Sequence, residues 1–166
     1  MKHSFRLICL CLAVASASMS CSKKNTPTPP PAPPSQVALL QAKAWVITSV
    51  TITKSDASTE VLAAGDFKGV NFDNVAFKTD GTFTSTDYGG HSNSGTYGIP
   101  AIQGVPAGTV ALIDLNYVVP SAKQVEASVD GAITADKMEL LLLGTTYVHN
   151  NGSTEDISRM AVTYGH

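Results

Sequence analysis

Between Trp45 and Tyr164 turn signals return roughly every eight to twelve residues, a spacing that leaves room for strands but not for helices longer than about two turns. Trp45-Val-Ile-Thr-Ser-Val-Thr-Ile-Thr53 is dense in β-branched side chains, whose stiff χ1 suits a pleated sheet, and predicts the first strand. Gln36 to Lys43 ahead of it has room for a helical turn. Val75 and Phe77 share one face, Thr79-Asp80-Gly81 turns the chain, and Phe83, Ser85 and Asp87 continue the alternation, which predicts a hairpin. Gly89 to Gly95 predicts a Gly/Ser/Asn loop, followed by a strand over Gly95 to Ile99 that Pro100 ends. Further strands are expected over Val110–Val119, closed by Pro120, and over Gln124–Val129 before Asp130-Gly131. Lys137–Leu143 is apolar enough to predict burial on both faces. Thr145–His149 and Ser158–Tyr164 flank the turn Asn150-Asn151-Gly152-Ser153. About eight strands without a long helix define an all-β domain, barrel or sandwich.

What precedes this domain reads as an address. Lys2 and Arg6 form a short positive region and Leu7 to Ala17 an apolar one, the layout of a signal peptide. The run falls short of the roughly 20 apolar residues that a spanning helix needs, and Ser16, Ser18, Ser20 and Lys23-Lys24 interrupt it. Small residues at Ser18 and Ser20 before Cys21 resemble a lipobox, with Ser18 where the common pattern has Leu. The resemblance implies cleavage after Ser20 and acylation of Cys21; a plain secretory cleavage is the other reading. Cys9 and Cys11 lie inside the apolar run, so Cys21 is the one thiol of the mature chain. Exported cysteines usually pair, and acylation accounts for one left alone. Without a second thiol the mature chain has neither a CxxC redox motif nor a Cys-based zinc site. At about 0.8 kcal/mol per buried CH₂, two or three acyl chains make attachment to the membrane effectively permanent.

From Ser22 to Ser35 the chain crowds Pro27, Pro29, Pro30, Pro31, Pro33 and Pro34 among small polar residues. Prolines remove backbone donors and fix φ, so residues 21–35 read as a tether, able to span roughly 40 Å in polyproline II form. By resemblance to Gram-negative lipoproteins, Ser22 lacks the acidic residue that retains such proteins at the inner membrane, and Lys23-Lys24 stand where an acidic surface-export run would lie. These features imply a lipid-anchored outer-membrane protein on the periplasmic face, with the cell surface as the alternative. The division is then a signal peptide over 1–20, the lipidated Cys and tether over 21–35, and one β domain over 36–166, long enough for a sizeable core.

Within that domain Trp45 in the first strand, Val75-Ala-Phe-Lys-Thr-Asp-Gly-Thr-Phe83, Ser94-Gly-Thr-Tyr97 and the strand beginning Met138-Glu-Leu140 resemble the lipocalin-like domains of bacterial lipoproteins. The resemblance covers Ala44 to Tyr164 and implies an antiparallel up-and-down barrel, with no established activity. Lipocalins carry Gly-x-Trp where this chain has Lys43-Ala44-Trp45, and they cap the Trp with a late Arg; the resemblance makes Arg159 the candidate to stack on Trp45, the other reading being an Arg that faces solvent. Phe77, Phe83, Tyr97 and Tyr147 are expected to point inward, either filling the core or walling a cavity for a small apolar ligand. The filled core is preferred, because eight strands enclose little more than their own side chains.

Reactive chemistry has little to start from. Charged residues are 14% of the chain, against a usual quarter or so, and a mildly acidic mature chain offers nothing basic enough for nucleic acid. His3, His91, His149 and His166 are isolated in sequence, without a zinc or calcium ligand pattern. Gly90-His91-Ser92-Asn93-Ser94-Gly95 fails the Gly-x-Ser-x-Gly nucleophile frame because Ser94 takes the place of its second Gly. Asp56, Glu60 and Asp66 lie along the polar stretch Asp56–Lys68 and would have to face each other to flank a sugar. The sequence therefore predicts no catalytic residue, metal or cofactor. It predicts a tethered, non-catalytic binding module for a small apolar molecule, or an accessory lipoprotein that meets another envelope protein through its barrel loops.

Overall fold

The computed structural model describes residues 30–63, 66–67, 72–87, 89–119, 121–144, 146–149 and 151–166. The segment expected to be a signal peptide, Cys21 and the first half of the expected tether lie outside the described residues, as do Lys68, Tyr88, Pro120, Thr145 and Asn150. The chain divides into the units Met1–Ala32 and Pro33–His166, and the elements below belong to the second.

A short helix α1 (Gln36–Gln41) leads into β1 (Trp45–Lys54) and β2 (Thr59–Val61). The hairpin β3 (Asn74–Phe77) and β4 (Thr82–Thr86) follows, then β5 (Ser92–Gly98), β6 (Leu112–Val119), β7 (Lys123–Val129), β8 (Met138–Leu143), β9 (Thr146–Val148) and β10 (Thr154–Gly165). Pairing runs β1-β3-β4-β5-β6-β7-β8-β10, and β10 returns to β1 antiparallel from Val46↔Gly165 to Lys54↔Ile157. The domain is thus an all-β, closed antiparallel barrel of eight strands, as the turn spacing predicts. β2 and β9 are short additions, on Thr51–Thr53 of β1 and Thr154–Asp156 of β10. Closure matters because it gives every strand of the barrel a partner on both sides.

Alternation fills the interior. Trp45, Ile47, Val50 and Ile52 of β1 meet Val75 and Phe77 of β3, Phe83 of β4, Leu115 of β6, Leu140 of β8 and Val162 of β10 in one buried cluster. Phe77, Phe83 and Tyr147 point inward and are buried, while Tyr97 is half-buried, edge-on to Phe77 with ring centroids 5.0 Å apart. α1 closes one end. Ser35 caps it by accepting from the Ala38 N–H, Leu40 enters the core, and Gln36 Oε1 accepts from the Val110 N–H at 3.0 Å.

Three expectations are corrected. β8 is buried on one face: Met138, Leu140 and Leu142 are inside, whereas Leu143 is 91% exposed. Among the described residues β8 packs mainly on its neighbours β7 and β10, so its outward side chains stay uncovered however apolar the run. The loop over Gly89–Gly95 is shorter than predicted, because Ser92–Ser94 pair with Thr86–Thr84 and join β5; ladder bonds override the weak strand propensity of Ser and Asn. Finally, Arg159 does not stack on Trp45. It is exposed and pairs with Thr53, eight residues beyond Trp45 on β1, roughly 26 Å along a strand. Antiparallel pairing brings the chain terminus to Trp45 instead, and His166 lies on the indole with ring centroids 4.1 Å apart while its Nδ1 meets Ala44 O at 2.8 Å.

Candidate functional site

Where β1 and β10 run past the barrel, their ends and the two short strands gather ionisable side chains from five places in the chain. A register shift at Thr53/Lys54 falls where β1 ends, and Lys54 Nζ reaches both Glu60 Oε2 on β2 and Glu155 Oε1 on β10 at 2.8 Å. The other oxygen of Glu155 lies 3.3 Å from His149 Nε2, just past β9, and His149 Nδ1 lies 3.0 Å from Asp66 Oδ2 in the segment between β2 and β3. The Tyr147 hydroxyl donates to the Asp66 backbone oxygen, and its ring stands edge-on to His149 at 5.2 Å. The result is a continuous chain, Glu60–Lys54–Glu155–His149–Asp66.

His149 is its hinge. Its side chain is 16% exposed and both ring nitrogens face a carboxylate oxygen. A neutral imidazole carries one N–H and satisfies one of them; the imidazolium satisfies both. The Asp66 hydrogen bond is the main cause holding the His149 pKa above its ordinary 6.5, partial burial opposes it, and Glu155 adds to the rise. Lys54 is likewise raised, by Glu155 first and Glu60 second, and Lys54 is the main cause that lowers the Glu155 carboxyl.

The stability linkage has a definite sign. A raised His pKa contributes stability that is complete below about 6.5 and is lost as pH climbs through the folded value. The lowered Glu155 works in the opposite direction and loses its contribution only as pH falls below the usual carboxylate range. The urea midpoint of the wild-type chain is therefore expected to drop as pH rises above about 6.5, and His149→Gln to flatten that part of the profile. A fall of equal size in the variant would assign it to other groups.

The arrangement gathers some of the sequence candidates and not others. Glu60, Asp66 and His149 come together, but Glu60 and Asp66 are separated by Lys54, Glu155 and His149 rather than facing each other across a substrate gap. Asp56 stays apart, accepting from the Ser58 N–H and hydroxyl in a local turn. His91 lies 3.1 Å from Asp87 within its own hairpin turn. Sequence reasoning missed Lys54 and Glu155; the available signal was their place beside turns on strands destined to pair. Among the described residues no three His, Cys, Asp or Glu side chains are placed to hold a metal ion.

Two further features sit elsewhere on the barrel. Inside, the Ser85 hydroxyl faces that of Tyr117, and both are buried without reaching hydrogen-bond geometry; burial raises the Tyr117 pKa. At the α1 end Val37, Ile99, Pro100, Ile102, Val105 and Pro106 contribute to a cleft of about 200 Å³ with a largely apolar lining. Among the described residues no helix is long and apolar enough to cross a membrane. No protein-family model matches this chain, and no curated protein matches it at a significant level.

Proposed function

We propose that this chain is a lipoprotein of the bacterial envelope, anchored to the outer membrane through acyl chains on Cys21, with a lipocalin-like barrel that serves as a non-catalytic binding module. The observation that carries the binding role is the apolar cleft at the α1 end, which suits a small apolar molecule and is smaller than the roughly 300 Å³ of a drug-sized pocket. The charged chain at Lys54 and His149 supports a non-catalytic reading, because each of its groups is already engaged by a neighbouring one. The proline-rich residues Pro30–Pro34 are exposed and irregular, as a tether requires.

A second reading, an accessory lipoprotein that binds another envelope protein, draws support from the interior, where inward side chains of every barrel strand meet.

Expression in a Gram-negative host with labelled palmitate tests the anchor, since Cys21→Ser is expected to lose both label and membrane association. Label retained on Cys21→Ser would overturn the lipoprotein reading. Native mass spectrometry of the protein from its own host tests the cleft. A bound small molecule is expected, with occupancy reduced at least about tenfold by Ile102→Glu, roughly 1.4 kcal/mol. A ligand unaffected by that exchange would place binding elsewhere.

A further inference from the structure

β7 has seven residues and β8 six, yet their ladder holds Ser128↔Leu141 and Val129↔Leu140, extended by the Asp130 N–H donating to Glu139 O at 3.0 Å. On its other side β7 stays paired from Ser128↔Leu112 to Lys123↔Tyr117. Continuing the register would join Ala127 to Leu142 and then Glu126 to Leu143, and neither pair is made. The cause lies in β10. β8 runs on into β9 in one register along β10, Leu143↔Arg159 and then Thr146↔Asp156, so the upper part of this strand follows β10 away from β7.

The parting leaves a cleft of about 340 Å³ lined by Gln124, Val125, Glu126, Ser128, Leu141 and Leu143. The other short ladder, β1 with β3, is extended rather than open. Beyond β3, the Ile47 N–H donates to Asp73 O, Val50 O accepts from the Leu62 N–H, and β2 takes over.

Backbone groups in an antiparallel strand alternate in direction. Since the Asp130 N–H points at β8, so do the N–H and C=O of Glu126 and Gln124, and those of Leu143 point back. A row of alternating donors and acceptors at strand spacing is matched by an extended polypeptide. The side chains add a preference: Leu143 and Leu141 offer apolar contact and the exposed Glu126 favours a cation beside it. We propose that the β7–β8 seam takes up an extended segment of another protein by strand addition, a segment apolar at alternate positions with Lys or Arg next to Glu126. This rests on the second reading above, an accessory protein that binds another envelope protein, in naming a protein partner, but the anchor on Cys21 plays no part in the geometry.

Amide hydrogen exchange on the full chain in detergent micelles tests it. In the free protein the amides of Glu126 and Leu143 are expected to exchange at least about 100-fold faster than those of Ser128 and Leu141. Acetyl-Thr-Lys-Thr-Val-Thr-Val-amide, which carries its cation and its apolar side chains on one face as Glu126, Leu141 and Leu143 do, is expected to slow them by about tenfold or more at saturation. The same peptide N-methylated at alternate backbone nitrogens should leave them unchanged, and Glu126→Lys should weaken binding several-fold. Free-chain amides at Glu126 and Leu143 as protected as Ser128 would overturn the proposal, as would equal effects from the two peptides. Protection that rises with protein concentration and no peptide would give the seam to a second copy of this chain and overturn a foreign partner. Cys21→Ser should give the same exchange pattern, so failure of the lipid anchor and failure of the seam are read separately.

Discussion

Gly95→Ala is expected to lower the stability of the barrel by roughly 3 kcal/mol or more, read from urea unfolding followed by circular dichroism. A Cβ built on Gly95 would stand 2.0 Å from the backbone oxygen of Asn116 and 2.9 Å from the Tyr117 Cα. Those atoms belong to β6, and the pairing of β5 with β6 shifts register between Ser94 and Gly95, which presses the two backbones together at this point. A flexible side chain swings away from a new methyl group at little cost; a strand inside a closed barrel moves only by disturbing its ladder on both sides. Gly98 provides the control, because a Cβ there would meet only the Asp114 Cβ at 4.0 Å, ordinary contact. Gly98→Ala should stay within about 1 kcal/mol of wild type. If the two variants unfold at the same urea concentration, the close approach at Gly95 is not there.

Why Gly95 matters was hidden in the sequence for the same reason that other features were. The strand over Trp45–Thr53 and the hairpin about Asp80-Gly81 are local matters. β-branched alternation forms the first, and the second is a turn in which Asp80 accepts from the Thr82 N–H and Gly81 takes φ 81°. Such features depend on neighbours a few residues away and are legible. Register between distant strands is not. Lys54, Glu155 and His149 meet because β10 lies on β1 and carries β9 beside it, and Asp66 joins a histidine 83 positions later in the chain. The same register carries Arg159 away from Trp45 and delivers His166. The exposed Leu143 and the open seam beside it follow from β8 tracking β10, a choice between two partners that the apolar run Leu140–Leu143 does not disclose.

Trp45→Ala is expected to cost about 3 to 5 kcal/mol, the range for emptying a large aromatic from a core, and Trp45→Phe distinctly less. Trp45 is completely buried and does two jobs. Its ring fills the α1 end of the barrel, with His166 laid over it. Its Nε1–H donates to Leu40 O at 2.9 Å, giving a partner to a carbonyl in the last turn of α1 that the helix itself leaves open. Phenylalanine keeps most of the ring and loses the donor, leaving that buried carbonyl without the indole at a cost of about 1 to 3 kcal/mol. The two effects part in their readouts. Loss of the donor frees α1 first, so Trp45→Phe should speed amide exchange over Gln36–Gln41 while leaving β10 protected. Loss of the ring should speed exchange in β1 and β10 together. A Trp45→Ala chain that unfolds within about 1 kcal/mol of wild type would mean that the barrel end is held by other contacts than the indole.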